Sequence, residues 1–166
     1  MTYKTPHVEP LRVLAIDPGY DRLGVAVMDK NSSHGELLFS SCIVTNRTDY
    51  FPVRLRAIGQ ELETLFAQYV PNTVALEQLF FNTNQRTAIH VAEVRGLVLY
   101  LACLHECRIL EYTPQEVKVA VTGYGKSNKE QVTAMVMRLL PSVKKDALDD
   151  EYDAVAIALT ALASAR

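Results

Sequence analysis

No apolar run in the 166 residues approaches the roughly 20 needed to cross a bilayer. The opening segment, Met1 to Pro10, is polar and carries two prolines, which suits neither a signal peptide nor an anchor. Cysteine is scarce: Cys42, Cys103 and Cys107 form no paired framework, which fits a reducing, cytoplasmic setting. Cys103, His105 and Cys107 lie close together, but a zinc site needs four converging ligands, so the thiols read as small buried hydrophobes. A large excess of charge of one sign is missing too. A net charge of −2 does not mark the chain as a polyanion binder. Internal repeats and low-complexity tracts are absent, and the length suits one domain with a single good core.

The charges that are present are unevenly placed. Lys118, Lys126, Lys129, Arg138, Lys144 and Lys145 outnumber Glu116 and Glu130 between residues 115 and 145, while Asp146, Asp149, Asp150, Glu151 and Asp153 crowd the next stretch. A basic surface beside an acidic cluster suits a metal-dependent nuclease, with Lys126 among the candidate DNA contacts. A solvated charged face would give the same composition.

Residues 1–11 read as a flexible tail and 12–166 as one domain. Val13 to Ile16 predict a strand buried on both faces, broken by Asp17-Pro18-Gly19. Leu23 to Met28 and Leu37 to Thr45 predict two more strands, an antiparallel meander. Leu55, Ile58, Leu62, Leu65, Phe66 and Tyr69 then recur at helical spacing. A strand over 73–76 ends at Glu77, a long helix covers about 84–105, and a fifth strand covers 108–112. Thr113 to Glu116 and Ser127 to Glu130 fit capping boxes, and a last helix starts near Asp149. The order β-β-β-α-β-α-β-α-α-α predicts an α/β fold: a mixed five-stranded sheet, three antiparallel strands then parallel ones, with helices on both faces.

Asp17 closes the first strand and Glu77 the fourth. If those strands are parallel neighbours, both acids emerge at the carboxyl edge, where open α/β sheets build sites. Asp150 and Asp153, three apart, share one face of the last helix. Four carboxylates in a small volume call for cations, and oxygen donors suit Mg²⁺ or Mn²⁺. Two such ions about 4 Å apart serve phosphodiester hydrolysis. Each acid also has an ordinary explanation as turn residue or helix-start residue; the set carries the argument.

These residues resemble the RuvC family of Holliday-junction resolvases, within the RNase H-like fold. Ala15-Ile16-Asp17-Pro18-Gly19 matches the family's I-D-P-G opening, and Glu77-Gln78-Leu79-Phe80, followed by Asn84, its E-Q-x-F motif with a downstream Asn. Arg95-Gly96 matches an A-R-G segment, and Asp150 to Ala158 the closing D-x-x-D-A-x-A-I-A. The resemblance implies that Asp17, Glu77, Asp150 and Asp153 are metal-binding catalytic acids. It implies that Lys118 and Lys129 contact DNA or the scissile phosphate, and that Phe80 stacks at the crossover. It also implies a homodimer making paired symmetric nicks in four-way DNA junctions, working with RuvA and RuvB. The helix over 91–104 is the candidate interface, although core burial explains its residues as well. Phe81 reads as core packing, and Tyr124 as a possible stacking contact.

Three rival readings exist. Asp17-Pro-Gly-Tyr-Asp-Arg22-Leu-Gly24-Val-Ala26 also resembles the opening of YqgF-type proteins, associated with ribosomal RNA processing. An actin- or hexokinase-type phosphotransferase would need two such lobes. A non-catalytic junction-binding module would not need all four acids.

Overall fold

The computed structural model describes residues 11–30, 35–78 and 85–165, and the side chains of all of these except 85–87. Strand β1 (Arg12–Asp17) lies at the centre of a sheet ordered β3-β2-β1-β4-β5. Its neighbour β2 (Arg22–Asp29) is antiparallel and pairs Asp17 with Gly24; β3 (Glu36–Val44) is antiparallel to β2. On the other side β4 (Thr73–Glu77) runs parallel to β1, pairing Ile16 with Leu76, and β5 (Arg108–Tyr112) runs parallel to β4. The expected mixed sheet is therefore present.

Alternation along β1 explains why the run is apolar throughout. Val13 and Ala15 face one core, and Leu14 and Ile16 the other; all four are fully buried. The even-numbered face is covered by α1 (Phe51–Tyr69) and α2 (Gln85–Leu104), through Ile58, Leu62, Phe66, Val94 and Val98. The odd-numbered face is covered by α3 (Pro114–Thr122), α4 (Lys129–Leu139) and α5 (Asp149–Ser164). Full burial of a Leu or Ile side chain stabilises the fold by about 1.5–3 kcal/mol. Anchoring β1 from both faces gives its terminal acid, Asp17, a firm base.

Local signals set the helix ends. Thr113 caps α3 in a reciprocal box with Glu116, as the sequence predicts, and Gly123 ends the helix in the left-handed region. The cap of α4 differs from expectation by one residue: Asn128 accepts from Gln131 N at 2.9 Å, and Gln131 Oε1 accepts from Asn128 N at 3.0 Å. Ser127 is instead buried and bonded to Tyr124 O and Thr122 Oγ1, so its hydroxyl is already committed. A buried charge, Arg54 on α1, is satisfied by Thr45 Oγ1, the Tyr20 carbonyl and the Asp21 carboxylate. That group ties the turn after β1 to α1, since a buried guanidinium without partners would be costly. Before β1, Leu11 packs against the odd-face core and its carbonyl accepts from Lys30 N. Among the described residues no helix is long and apolar enough to cross a membrane.

Candidate active site

Parallel pairing of β1 and β4 puts Asp17 and Glu77 side by side at the carboxyl edge of the sheet. The first turn of α5 crosses above that edge. It can do so because β2 carries Gly24, where a Cβ would lie 1.8 Å from the Asp150 carbonyl oxygen. Only glycine allows so close an approach. Ser40 on β3 adds a second tether, its hydroxyl donating to Glu151 Oε1 at 2.6 Å. These contacts set where Asp150 and Asp153 stand.

A cavity of about 280 Å³ opens at this edge, and Asp17, Glu77, Asp153, Lys118 and Lys129 all line it. Three of the four expected acids thus share one cavity with two of the expected bases. Asp150 is next to it, on the β2 side, where Arg22 Nε lies 3.0 Å from its Oδ2. The pair lacks hydrogen-bonding geometry, and Asp150 Oδ2 is the one buried side-chain oxygen or nitrogen among the described residues without a hydrogen-bond partner. The two observations are compatible: charge compensation is present, while the oxygen's lone pairs are unused. A larger cavity of about 570 Å³ between α3 and α5 is mainly apolar, and its Glu116 is occupied with capping. The chemistry is not there.

Crowding of like charge is visible in the protonation behaviour. Asp17 is pushed up from 3.8 to about 7, first by burial and then by the charges of Asp153, Glu77 and Asp150. Burial also raises Glu77, with Asp153 adding and Lys118 opposing. Asp153 is raised by burial although Lys129 opposes it. Lys129 Nζ lies 2.9 Å from Asp153 Oδ2 and 3.5 Å from Asp149 Oδ2. Burial lowers the Lys129 pKa, but these bonds and charges outweigh it and leave a net rise.

Among the described residues no three His, Cys, Asp or Glu form a ready-made metal cage, because the acids are gathered without being drawn onto one point. The donor set nevertheless fits a hard divalent cation. It is all oxygen, and its central acid is kept protonated by burial and by the charges of the neighbouring acids, which positive charge at the site would offset. Lys129 supplies part of that charge.

The other expected contacts divide. Lys126 is exposed and outside the cavity lining. Phe80, Phe81 and Asn84 lie outside the described residues. Tyr124 is exposed in the turn after α3. Sequence reasoning misses two pairings, Arg22 with Asp150 and Lys129 with Asp153. The one signal for Arg22 is its place in the opening shared with YqgF-type proteins. Arg95, matched to the family's A-R-G segment, donates to the Glu77 carbonyl at 2.8 Å and pairs with Glu111, bracing the end of β4 from α2.

Residues 13–161 match the family model described as crossover junction endodeoxyribonuclease RuvC. The RuvC of Alkaliphilus oremlandii is 41% identical over 147 residues, covering 89% of this chain and 90% of its own. That of Finegoldia magna is 39% identical over 150 residues, covering 90% and 91%. Among solved structures, Thermus thermophilus RuvC in complex with Holliday junction substrate superposes with a TM-score of 0.83 at 30% identity, covering 90% of this chain and 92% of that one. A yeast mitochondrial Holliday junction resolvase, at 17% identity and a TM-score of 0.69, shares the fold. With the model match spanning nearly the whole chain and the carboxyl-edge acids in place, the chain belongs to the RuvC family of crossover junction endodeoxyribonucleases.

Proposed function

We propose that this chain is a crossover junction endodeoxyribonuclease that resolves four-way DNA junctions by paired symmetric nicks, in cytoplasmic DNA recombination and repair. The observation that carries the reading is the shared cavity: Asp17, Glu77 and Asp153 face Lys118 and Lys129 at the end of two parallel strands. In this reading Asp17, Glu77, Asp150 and Asp153 are the catalytic acids and hold Mg²⁺, or Mn²⁺, two ions to a site. Bound there, divalent cations supply a nucleophile at neutral pH and neutralise charge on the phosphodiester. Asp17, at the end of the doubly covered β1, holds its carboxylate at a fixed point. Lys118, half-buried in the wall, balances Glu77 and faces an incoming phosphate. Lys129 trades Asp153 for a phosphate oxygen as DNA enters. Lys126, Phe80 and Asn84 are proposed as further DNA contacts, with residues 12–166 as a single domain after the 1–11 tail.

A two-fold dimer would present two equivalent sites to the two strands to be cut. The exposed stripe of α2 supports it: Ile89, Tyr100 and Leu104 face outward, and a Cβ at Gly96 between them would meet nothing within 4 Å. Helices can approach closely at such a glycine. RuvA and RuvB are the proposed partners in branch migration.

The test is nick mapping on an immobile synthetic junction, beside linear duplex and a ribosomal RNA precursor, with and without Mg²⁺ or Mn²⁺. Paired, symmetry-related nicks that require metal and the junction are expected. Cleavage confined to the RNA would favour the YqgF-type reading, and junction binding without nicking a non-catalytic module.

A further inference from the structure

Asp150 and Asp153 stand only one helical turn apart on α5, yet each has a different cation. Asp153 has Lys129; Asp150 has Arg22, on the first residue of β2. Neither Arg22 nor Asp150 lines the cavity that Asp17, Glu77 and Asp153 share; the pair joins the start of β2 to the first turn of α5 beside it. Its Nε faces Oδ2, the carboxylate oxygen that is buried and has no hydrogen bond. Asp150 Oδ1 is not among the buried, unpartnered atoms. The arginine therefore compensates the buried oxygen, Oδ2, and not Oδ1.

We propose that Arg22 is a positioning residue for Asp150: it holds Oδ2 from the β2 side, so that the carboxylate's other oxygen is presented to cations bound at the active site. This role rests on the nuclease reading of the site and adds a residue to it.

Three contacts from neighbouring strands converge on the first turn of α5, and each acts differently. Gly24 admits the backbone of Asp150, Ser40 binds Glu151, and Arg22 reaches the Asp150 side chain itself. The first two locate the helix; only the third restrains the torsion of the carboxylate. A buried carboxylate oxygen that loses its one cationic neighbour gains by turning towards water, away from its neighbours. Carboxylates that bind metal are commonly held by an outer partner, whose removal costs about 10- to 100-fold in metal affinity or activity. Among the described residues Arg22 makes no other side-chain bond, so no separate structural duty competes with this one. Its side chain is 44% exposed, and its loss leaves the cores untouched.

The test uses Arg22→Gln and Arg22→Lys in the full chain. Mn²⁺ affinity is measured by titration calorimetry without DNA, junction affinity in EDTA over a salt series, and melting in EDTA. For Arg22→Gln we expect Mn²⁺ affinity about 10- to 100-fold weaker, with junction affinity in EDTA and its salt slope unchanged. Arg22→Lys should recover part of the Mn²⁺ affinity, and it carries the test if the glutamine variant melts early. Unchanged or tighter Mn²⁺ binding in both variants overturns the proposal. So does a flattened salt slope with Mn²⁺ affinity intact, which would make Arg22 a phosphate contact instead. If the unaltered chain itself binds no Mn²⁺ and nicks no junction, the functional reading fails and this inference falls with it.

Discussion

Replacing Asp17 by asparagine separates the electrostatic cost of the site from its chemistry. The side chain keeps its shape and loses its charge. In the folded protein Asp17 holds its proton up to about pH 7, whereas in the unfolded chain it releases it near 3.8. An acid whose folded pKa is raised favours folding while protonated, so that contribution is complete below about pH 4. It is lost as pH climbs through about 7. The span from 3.8 to about 7 corresponds to an upper bound of about 4 kcal/mol. Asp153, Glu77 and Asp150 share the repulsion, so we take about half, roughly 2 kcal/mol, as the realistic gain at pH 8. For a domain of this size that raises Tm by about 4–8 °C. The assay is melting in EDTA at closely spaced pH values between 4 and 8.5, for the chain and for Asp17→Asn. The gap should be near zero at pH 4, open between 5 and 7, and stay level above. Mn²⁺ should then stabilise the unaltered chain and leave the variant nearly unmoved, while junction nicking is abolished and junction binding persists. A gap that does not change with pH would refute the account of charge crowding, because asparagine's own packing is insensitive to pH. Nicking at near the original rate would refute the role of Asp17.

Single contacts elsewhere in the site make their own predictions. Lys129→Ala should weaken junction binding and lower the slope of log affinity against log salt by about 1; an unchanged slope counts against a phosphate contact there. Gly24→Ala forces a Cβ against the Asp150 carbonyl and should cost about 1–3 kcal/mol in urea unfolding, with nicking lost as α5 is pushed off. Equal stability would mean that β2 and α5 separate freely. Tyr100→Arg, on the exposed stripe of α2, should shift sedimentation from dimer to monomer without lowering the melting temperature of the fold itself. A dimer that survives both this change and Gly96→Leu would move the interface elsewhere.

Much of the fold and site is legible along the chain because the acids mark element ends. Asp17 and Glu77 each close an apolar run, and Asp150 and Asp153 open an apolar helix; those are local patterns. The strand and helix order is readable for the same reason, since period two gives way visibly to period 3.6. The hidden part depends on pairs far apart in sequence. Lys129 meets Asp153 across 24 residues, and no periodicity encodes that. Arg22 reaches Asp150 only because Gly24 brings the two elements together, so its role appears once the helix is placed over β2. The start of α4 is ambiguous by one residue, because Ser127 and Asn128 are both good caps and tertiary contacts of the serine decide between them. The two faces of α2 are equally hard to tell apart. Val94 and Val98 are buried while Ile89, Tyr100 and Leu104 are exposed, and a helix that is apolar most of the way round hides which side faces water.

The double coverage of β1 also bears on how this protein can vary. A residue buried under one layer can change when its neighbours on that layer adjust. Along 13–16, alternate positions answer to separate sets of helices, so a change in size at any of them must be absorbed by one set without tilting the strand against the other. A tilt would carry Asp17 with it. Deep mutational scanning should therefore find this tetrapeptide less tolerant than the equally apolar interior of α5, and its failures should be losses of cutting at normal abundance as often as losses of folded protein.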